Sequence, residues 1–282
     1  YTSKNDKKKK RNLVLQSVLS AFDEEKAYFD IAKTTEELEK LASEENFIDV
    51  SLNALHNFEK TVQFLYENLM VLNSKFISSQ YQLIFIINFF NKVQSPSNIQ
   101  IKELKKWFWI TSYSNYFTIY NLAEMRLAYK KFNSFIQNEN NNPIYIAPSL
   151  KFKTKEFPKT IDFGSARGTS LALFMVNFSV HKENILHNNL RGVKEFKLFK
   201  SEKSTENIIF VVDNDDALNN MIRSQKDLSF LLTQEFLGQF SELFLTDEMR
   251  DAFAGNNLKK VLELRKSLII EKEEVFVRKE LD

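Results

Sequence analysis

Apolar positions recur at helical spacing through most of the first half of the chain. Leu15, Val18, Leu19 and Phe22 stand at i, i+3, i+4 and i+7, which puts them on one face of a helix. Thr34, with Glu37 three residues on, has the spacing of a capping box and predicts a helix start. Phe58, Val62, Leu65, Leu69 and Leu72 form the next stripe, and "QYQLIFIINFFNKV" is apolar nearly all round, as a helix at the centre of a bundle would be. "SPSN" at 95–98 stops that run. Ile101, Leu104 and Trp107 or Phe108 restart the period, and Leu122, Met125, Tyr129, Phe132 and Phe135 carry it to 136. A helical bundle domain over 1–140 follows.

"QNENNNPIYIAPS" marks the border, because an asparagine run followed by two prolines can continue neither a helix nor a central strand. Residues 141–282 are expected to form a smaller α+β domain, so the fold class is mainly α. Within it "GTSLALFMVNF" reads as a helix capped by Thr169, and 193–212 has the β-branched and aromatic content of two short strands. A terminal helix carries Leu258, Val261, Leu262, Leu268 and Ile269 on one stripe, with Arg265 on the same stripe. An arginine there must snorkel, pair or bind a phosphate, since an unpaired buried charge costs several kcal/mol. An internal ion pair is the expectation.

Composition sharpens this picture in three places. Only 5 Gly and 4 Pro in 282 residues leave little turn chemistry for a many-stranded sandwich, while 27 Phe supply a core. Lys plus Arg total 39 against 37 for Asp plus Glu, so any nucleic-acid surface must be a local patch. Lys105, Lys106, Arg126, Lys130 and Lys131 are the candidates for phosphate contact. With no Cys, thiolate metal sites and cysteine nucleophiles are excluded, and three histidines leave little for a histidine metal centre. The longest apolar run, "LIFIINFF", is far short of the ~20 residues that span a bilayer, so no membrane is expected as a partner and a cytoplasmic place is. The opening "YTSKNDKKKKRN" reads as an internal start with an N-terminal portion missing.

The segment "LKKWFWITSYSNYFT" has an order that composition alone does not explain. Together with "NLMVLNSKFISSQYQLIFIINFF" and "LKKVLELRKSLI", it resembles the GmrSD-like bacterial restriction proteins. In these a ParB-like, nucleotide-dependent half precedes a helical region and an HNH-type nuclease half. The resemblance runs over roughly residues 15–270, and the tryptophan segment is its specific part. In that family the nuclease hairpin has a His-His-Ile-Phe-Pro-Lys type strand, an Asn at the head of the next strand and another Asn on the following helix. A histidine activates water there as general base, and the other positions hold a metal ion against the scissile phosphate.

Here the matching stretch is "EFKLFKSEKSTENIIFVVDNDDALNN". Lys197 takes the place of the base and Phe196 that of the neighbouring ligand, while Asn207 and Asn219 or Asn220 match the later positions. A lysine ammonium, pKa about 10.4, stays protonated unless strongly desolvated, and phenylalanine cannot ligate a metal. The resemblance therefore implies a degenerate HNH-like β-hairpin without catalytic residues, metal or cofactor. On this reading the chain is the C-terminal part of a restriction or anti-phage defence protein. It would serve as a DNA-binding or assembly module rather than an enzyme, beside a missing N-terminal half or partner subunit.

His181 or His187 could supply a displaced base, and "NDD" at 214–216 two carboxylates, although Asn and Asp in a loop are more often turn and cap residues. Two rival readings stand: an active metal-dependent endonuclease with a rearranged site, and an interaction scaffold with no nucleic-acid role. Trp107 and Trp109 could stack on bases, but lie amid apolar neighbours and are expected in the core.

Overall fold

In the computed structural model residues 4–22, 31–146, 156–180, 192–213 and 217–281 are described. Helix dominates, as the apolar periodicity requires, and a single two-stranded antiparallel sheet is present among these residues. The chain divides into two compact units, Tyr1–Asn68 with Ser79–Lys153, and Leu69–Ser78 with Thr154–Asp282. The division thus differs from a single border near 140: residues 69–78 belong with the later unit. Phe76 is why. Its ring meets Phe163 and Phe210 edge-on at 5.5 and 5.9 Å, and the Leu69 carbonyl accepts a 3.0 Å hydrogen bond from the Asn177 amide.

The helical unit contains α1 (Lys4–Ala21), α2 (Ile31–Leu41), most of α3 (Phe47–Leu69), α4 (Gln80–Lys92), α5 (Asn98–Tyr113), α6 (Tyr116–Ile119) and α7 (Leu122–Gln137). Helix α4 packs against α1, α5 and α7, and its Ile84 to Phe90 are all buried. The amide nitrogens it carries inward are matched: the Gln82 amide donates to the Phe108 carbonyl and the Thr111 and Ser112 hydroxyls, and the Asn88 amide donates to the Asn133 side-chain oxygen at 2.7 Å. Helices α5 and α7 each begin with a full capping box, Ser97 with Gln100 and Asn121 with Glu124, which satisfies free amides at both starts.

Two sequence expectations fail here. Thr34 does not cap α2, because the helix begins at Ile31 and Thr34 is buried within it. The α3 stripe is also displaced. Val62 is 51% exposed, and the inward face runs through Ala54, Asn57, Thr61 and Leu65. Asn57 is tolerated inside because its amide donates to Asn91, and Thr61 because its hydroxyl donates to the Asn57 carbonyl.

Beyond α7, Tyr116 and Tyr120 pin the segment that follows at Tyr145. The Tyr116 hydroxyl accepts from the Tyr145 N–H at 3.0 Å, and the Tyr120 hydroxyl donates to the Tyr145 carbonyl at 2.8 Å. Burial pushes the Tyr116 phenol well above the ordinary tyrosine value of 10.0. Unfolded tyrosine ionises above about pH 10 while the buried one holds its proton, so stability falls as pH rises through that region, by up to ~1.4 kcal/mol per pH unit. Urea titrations from pH 8 to 11 should show Tyr116→Phe less stable at pH 8, with the gap to wild type narrowing above pH 10. A gap that stays constant would contradict the buried phenol.

The second unit is built on β1 (Gly192–Lys197), β2 (Ile208–Asp213), α8 (Ala166–Ser179), α9 (Ala217–Ile222), α10 (Asp247–Ala254) and α11 (Leu258–Leu281). Strand β2 is buried on both faces, against α8 on one side and on the other within a core that includes Leu198, Phe199, Ile222, Leu228 and Val261. This is why "IIFVV" is continuously apolar rather than alternating. Helix α8 is capped by Ser165, whose hydroxyl accepts from the Gly168 N–H. Thr169, expected as the cap, lies one turn inside.

Arg265 is fully buried on α11, between Val261 and Ile269, but among the described residues no side-chain ion pair holds it. Its guanidinium donates to the Glu206 and Leu243 carbonyls. Burial lowers its pKa to about 9, partly offset by the Glu206 charge, so it remains a cation at neutral pH. Arg250, also fully buried, donates to Asp247 at 2.7 Å and to the Gln239 carbonyl at 2.6 Å. Between them the two arginines hold the connection in which Phe240 and Phe244 adopt left-handed backbone angles, φ 61° and 59°.

Candidate functional site

Strands β1 and β2 pair antiparallel from Gly192 opposite Asp213 to Lys197 opposite Ile208, and α9 follows β2. The hairpin-and-helix outline expected for 193–220 is therefore present. Lys194 reaches Asp213 at 2.8 Å across the open end of the hairpin. At the other end Leu198 N–H donates to the Asn207 carbonyl, which extends the pairing into a ten-residue connection.

Three side chains of the degenerate motif, those of Asn207, Asn219 and Phe196, have a structural occupation. Asn207 is fully buried: its side-chain oxygen accepts from the Phe199 N–H at 2.8 Å, and its amide donates to the Phe199 and Glu202 carbonyls at 2.9 and 3.0 Å. It thus clips the hairpin loop. Asn219 ties α9 to the end of β2 through a 2.8 Å bond to the Val212 carbonyl, while Asn220 is exposed. Phe196 packs against the core of the unit, and Lys197 is half-buried with its carbonyl accepting from the Leu228 N–H at 2.9 Å. An asparagine whose oxygen and nitrogen are both spent on backbone cannot also face a metal ion without breaking the loop.

Asn207→Ala should therefore act on folding. It leaves a buried N–H and two carbonyls without their partner, a loss of about 1–3 kcal/mol for such groups. Chemical denaturation should register that loss directly. Unchanged stability would show that the clip contributes nothing.

Of the three histidines, His56 is described; it lies exposed on α3 of the other unit, 3.6 Å from Glu59. His181, His187 and Asn214–Asp216 lie outside the described residues. Among the described residues no three His, Asp or Glu side chains gather closely enough to hold a metal ion, and no helix is long and apolar enough to cross a membrane.

The proposed basic patch is split between two helices of the first unit. Arg126, Lys130 and Lys131 are exposed on α7, at i, i+4 and i+5. Lys105 and Lys106 are half-buried on α5. Lys106 lines a cleft of ≈ 370 Å³ together with Glu103, Glu139 and the asparagines at 140–142. Glu139 in that cleft accepts from the Ser97 hydroxyl at the start of α5. Trp107 is fully buried and Trp109 almost so, which places both in the core and leaves neither as an open platform for a base.

What sequence reading passed over are cations around the hairpin loop, Lys159, Lys200, Lys203, Arg223 and Lys226, all exposed. The K-x-x-K spacing of Lys200 and Lys203 is the one local signal for them. Comparison with family models, curated proteins and solved structures found no match to this chain.

Proposed function

We propose that this chain is a non-cleaving, nuclease-like module that binds DNA or assembles with a DNA-acting partner in a bacterial restriction or defence system. One observation carries the reading. The ββα outline is kept while the side chains at the motif positions are turned to structural use, with Asn207 clipping the loop, Asn219 fastening α9 and Phe196 filling the core. General-base chemistry needs a group that exchanges a proton near neutral pH within reach of the attacking water, and the phenyl ring of Phe196 has no such proton.

Binding without cleavage is the consequence. Supercoiled plasmid incubated with the purified chain and magnesium, manganese or nickel should remain intact, while a labelled duplex should be bound with an affinity that falls steeply from low to moderate salt. Metal-dependent nicking would overturn the reading in favour of a working endonuclease. Absence of any salt-sensitive duplex binding would favour a protein-interaction scaffold.

A further inference from the structure

We propose that the phosphate-contacting surface of this module is the loop end of the hairpin, formed by Lys159, Lys200, Lys203, Arg223 and Lys226, and that its partner is the backbone of double-stranded DNA. The inference rests on the DNA-binding reading above but places the contact in the second unit instead of on α5 and α7.

Backbone hydrogen bonds bring these residues to one place. The Thr205 N–H donates to the Lys159 carbonyl at 3.0 Å, fixing Lys159 beside the loop that carries Lys200 and Lys203. The Leu228 N–H donates to the Lys197 carbonyl at 2.9 Å, so Lys226 and the turn after α9, with Arg223, border the same end of the strand pair. The Asn207 clip then fixes the loop shape from Phe199 to Asn207, so the two lysines project from a defined backbone. All five cations are exposed, and none has an ion-pair partner among the described residues.

The neighbouring acids are engaged differently. Asp227 accepts from the Ser229 N–H and hydroxyl, and Glu206 is half-buried with its charge felt by Arg265. Glu202 is the exposed carboxylate of the loop itself, and Glu195 lies further along β1. The outward charge at the loop end is therefore positive. By contrast Lys106 on α5 lines a cleft shared with Glu103 and Glu139. Exposed cations with no ion pair among the described residues suit a regularly spaced polyanion, because each neutralised phosphate releases a counterion.

The test uses the whole chain and a fluorescein-labelled duplex of about 20 base pairs, followed by anisotropy across a salt series. The triple variant Lys200→Gln/Lys203→Gln/Lys226→Gln should bind at least about tenfold more weakly at low salt, with the salt slope reduced by roughly 2–3. Arg126→Gln/Lys130→Gln/Lys131→Gln should change affinity by less than about threefold by the same counterion reasoning. Thermal melts of both variants should match wild type, since the substituted side chains are exposed. The reverse ranking of the two triple variants would overturn this surface while leaving the DNA-binding reading standing. Tighter binding of the wild type to phosphatidylserine vesicles than to duplex would overturn it in favour of a lipid surface. A wild type that binds no duplex would remove both.

Discussion

Trp107→Ala is expected to destabilise the helical unit by about 3–5 kcal/mol, the range for truncating a large aromatic in a core. Trp107 is fully buried on α5 and sits at the centre of an aromatic cluster: parallel to Phe85 at 5.5 Å, tilted against Phe132 at 4.8 Å and edge-on to Phe117 at 6.0 Å. These rings come from α4, α6 and α7, so removing the indole opens a cavity where four helices converge. The neighbours are themselves bulky rings and can close that space only by moving whole helices, which keeps the cost near the upper part of the range. A melting temperature lowered by roughly 10 °C or more is the expected readout. Trp107→Phe should recover part of the loss. A base-stacking role would give the opposite pattern, with folding intact and single-strand binding weakened; a melting temperature within about 2 °C of wild type would refute the packing account.

That cluster was legible in the sequence because α4, α5 and α7 obey the simple rule that apolar residues at helical spacing face inward. Helix α3 shows where the rule stops. Its inward face carries Asn57 and Thr61, which belong there because they bond to Asn91 and to the helix's own backbone, while Ile48, Leu52, Leu55 and Val62 are left exposed. No count of apolar positions finds a face defined by partners 34 residues away. The same limit applies to residues 69–78, whose place with the second unit depends on Phe76 meeting Phe163 and Phe210.

The candidate site divides in the same manner. Two strands and a following helix could be read from "FKLFKS" and "IIFVVD", since strand content is a local property. What Asn207 does could not, because a metal ligand and a loop clip ask for the same residue at the same place. Only the three backbone bonds distinguish them. Arg265 makes a similar point: the sequence required that its charge be compensated, but compensation came from the Glu206 and Leu243 carbonyls, which are supplied by every residue type.

A charge pair that the sequence did not disclose carries the second large effect. Arg167 on α8 and Glu273 on α11 form a bidentate bridge, Nη1 to Oε1 at 2.6 Å and Nη2 to Oε2 at 2.7 Å, with side chains only 8% and 7% exposed. Glu273→Leu is expected to cost about 3–5 kcal/mol, because it strands a guanidinium in a site that water cannot reach; Arg167→Met should cost a similar amount by stranding the carboxylate. The double variant Arg167→Met/Glu273→Leu should cost no more than either single change. The desolvation penalty of the intact pair largely cancels its Coulomb attraction, and two apolar side chains of similar size avoid both. A double-mutant cycle by urea denaturation measures this directly. Single changes below about 1 kcal/mol would mean that the pair is hydrated like a surface bridge. A double variant whose cost equals the sum of the two singles would mean that the residues act independently despite their geometry. Strong positive coupling would identify the bridge as the fastening of α8, the helix that covers one face of β2, to the terminal helix.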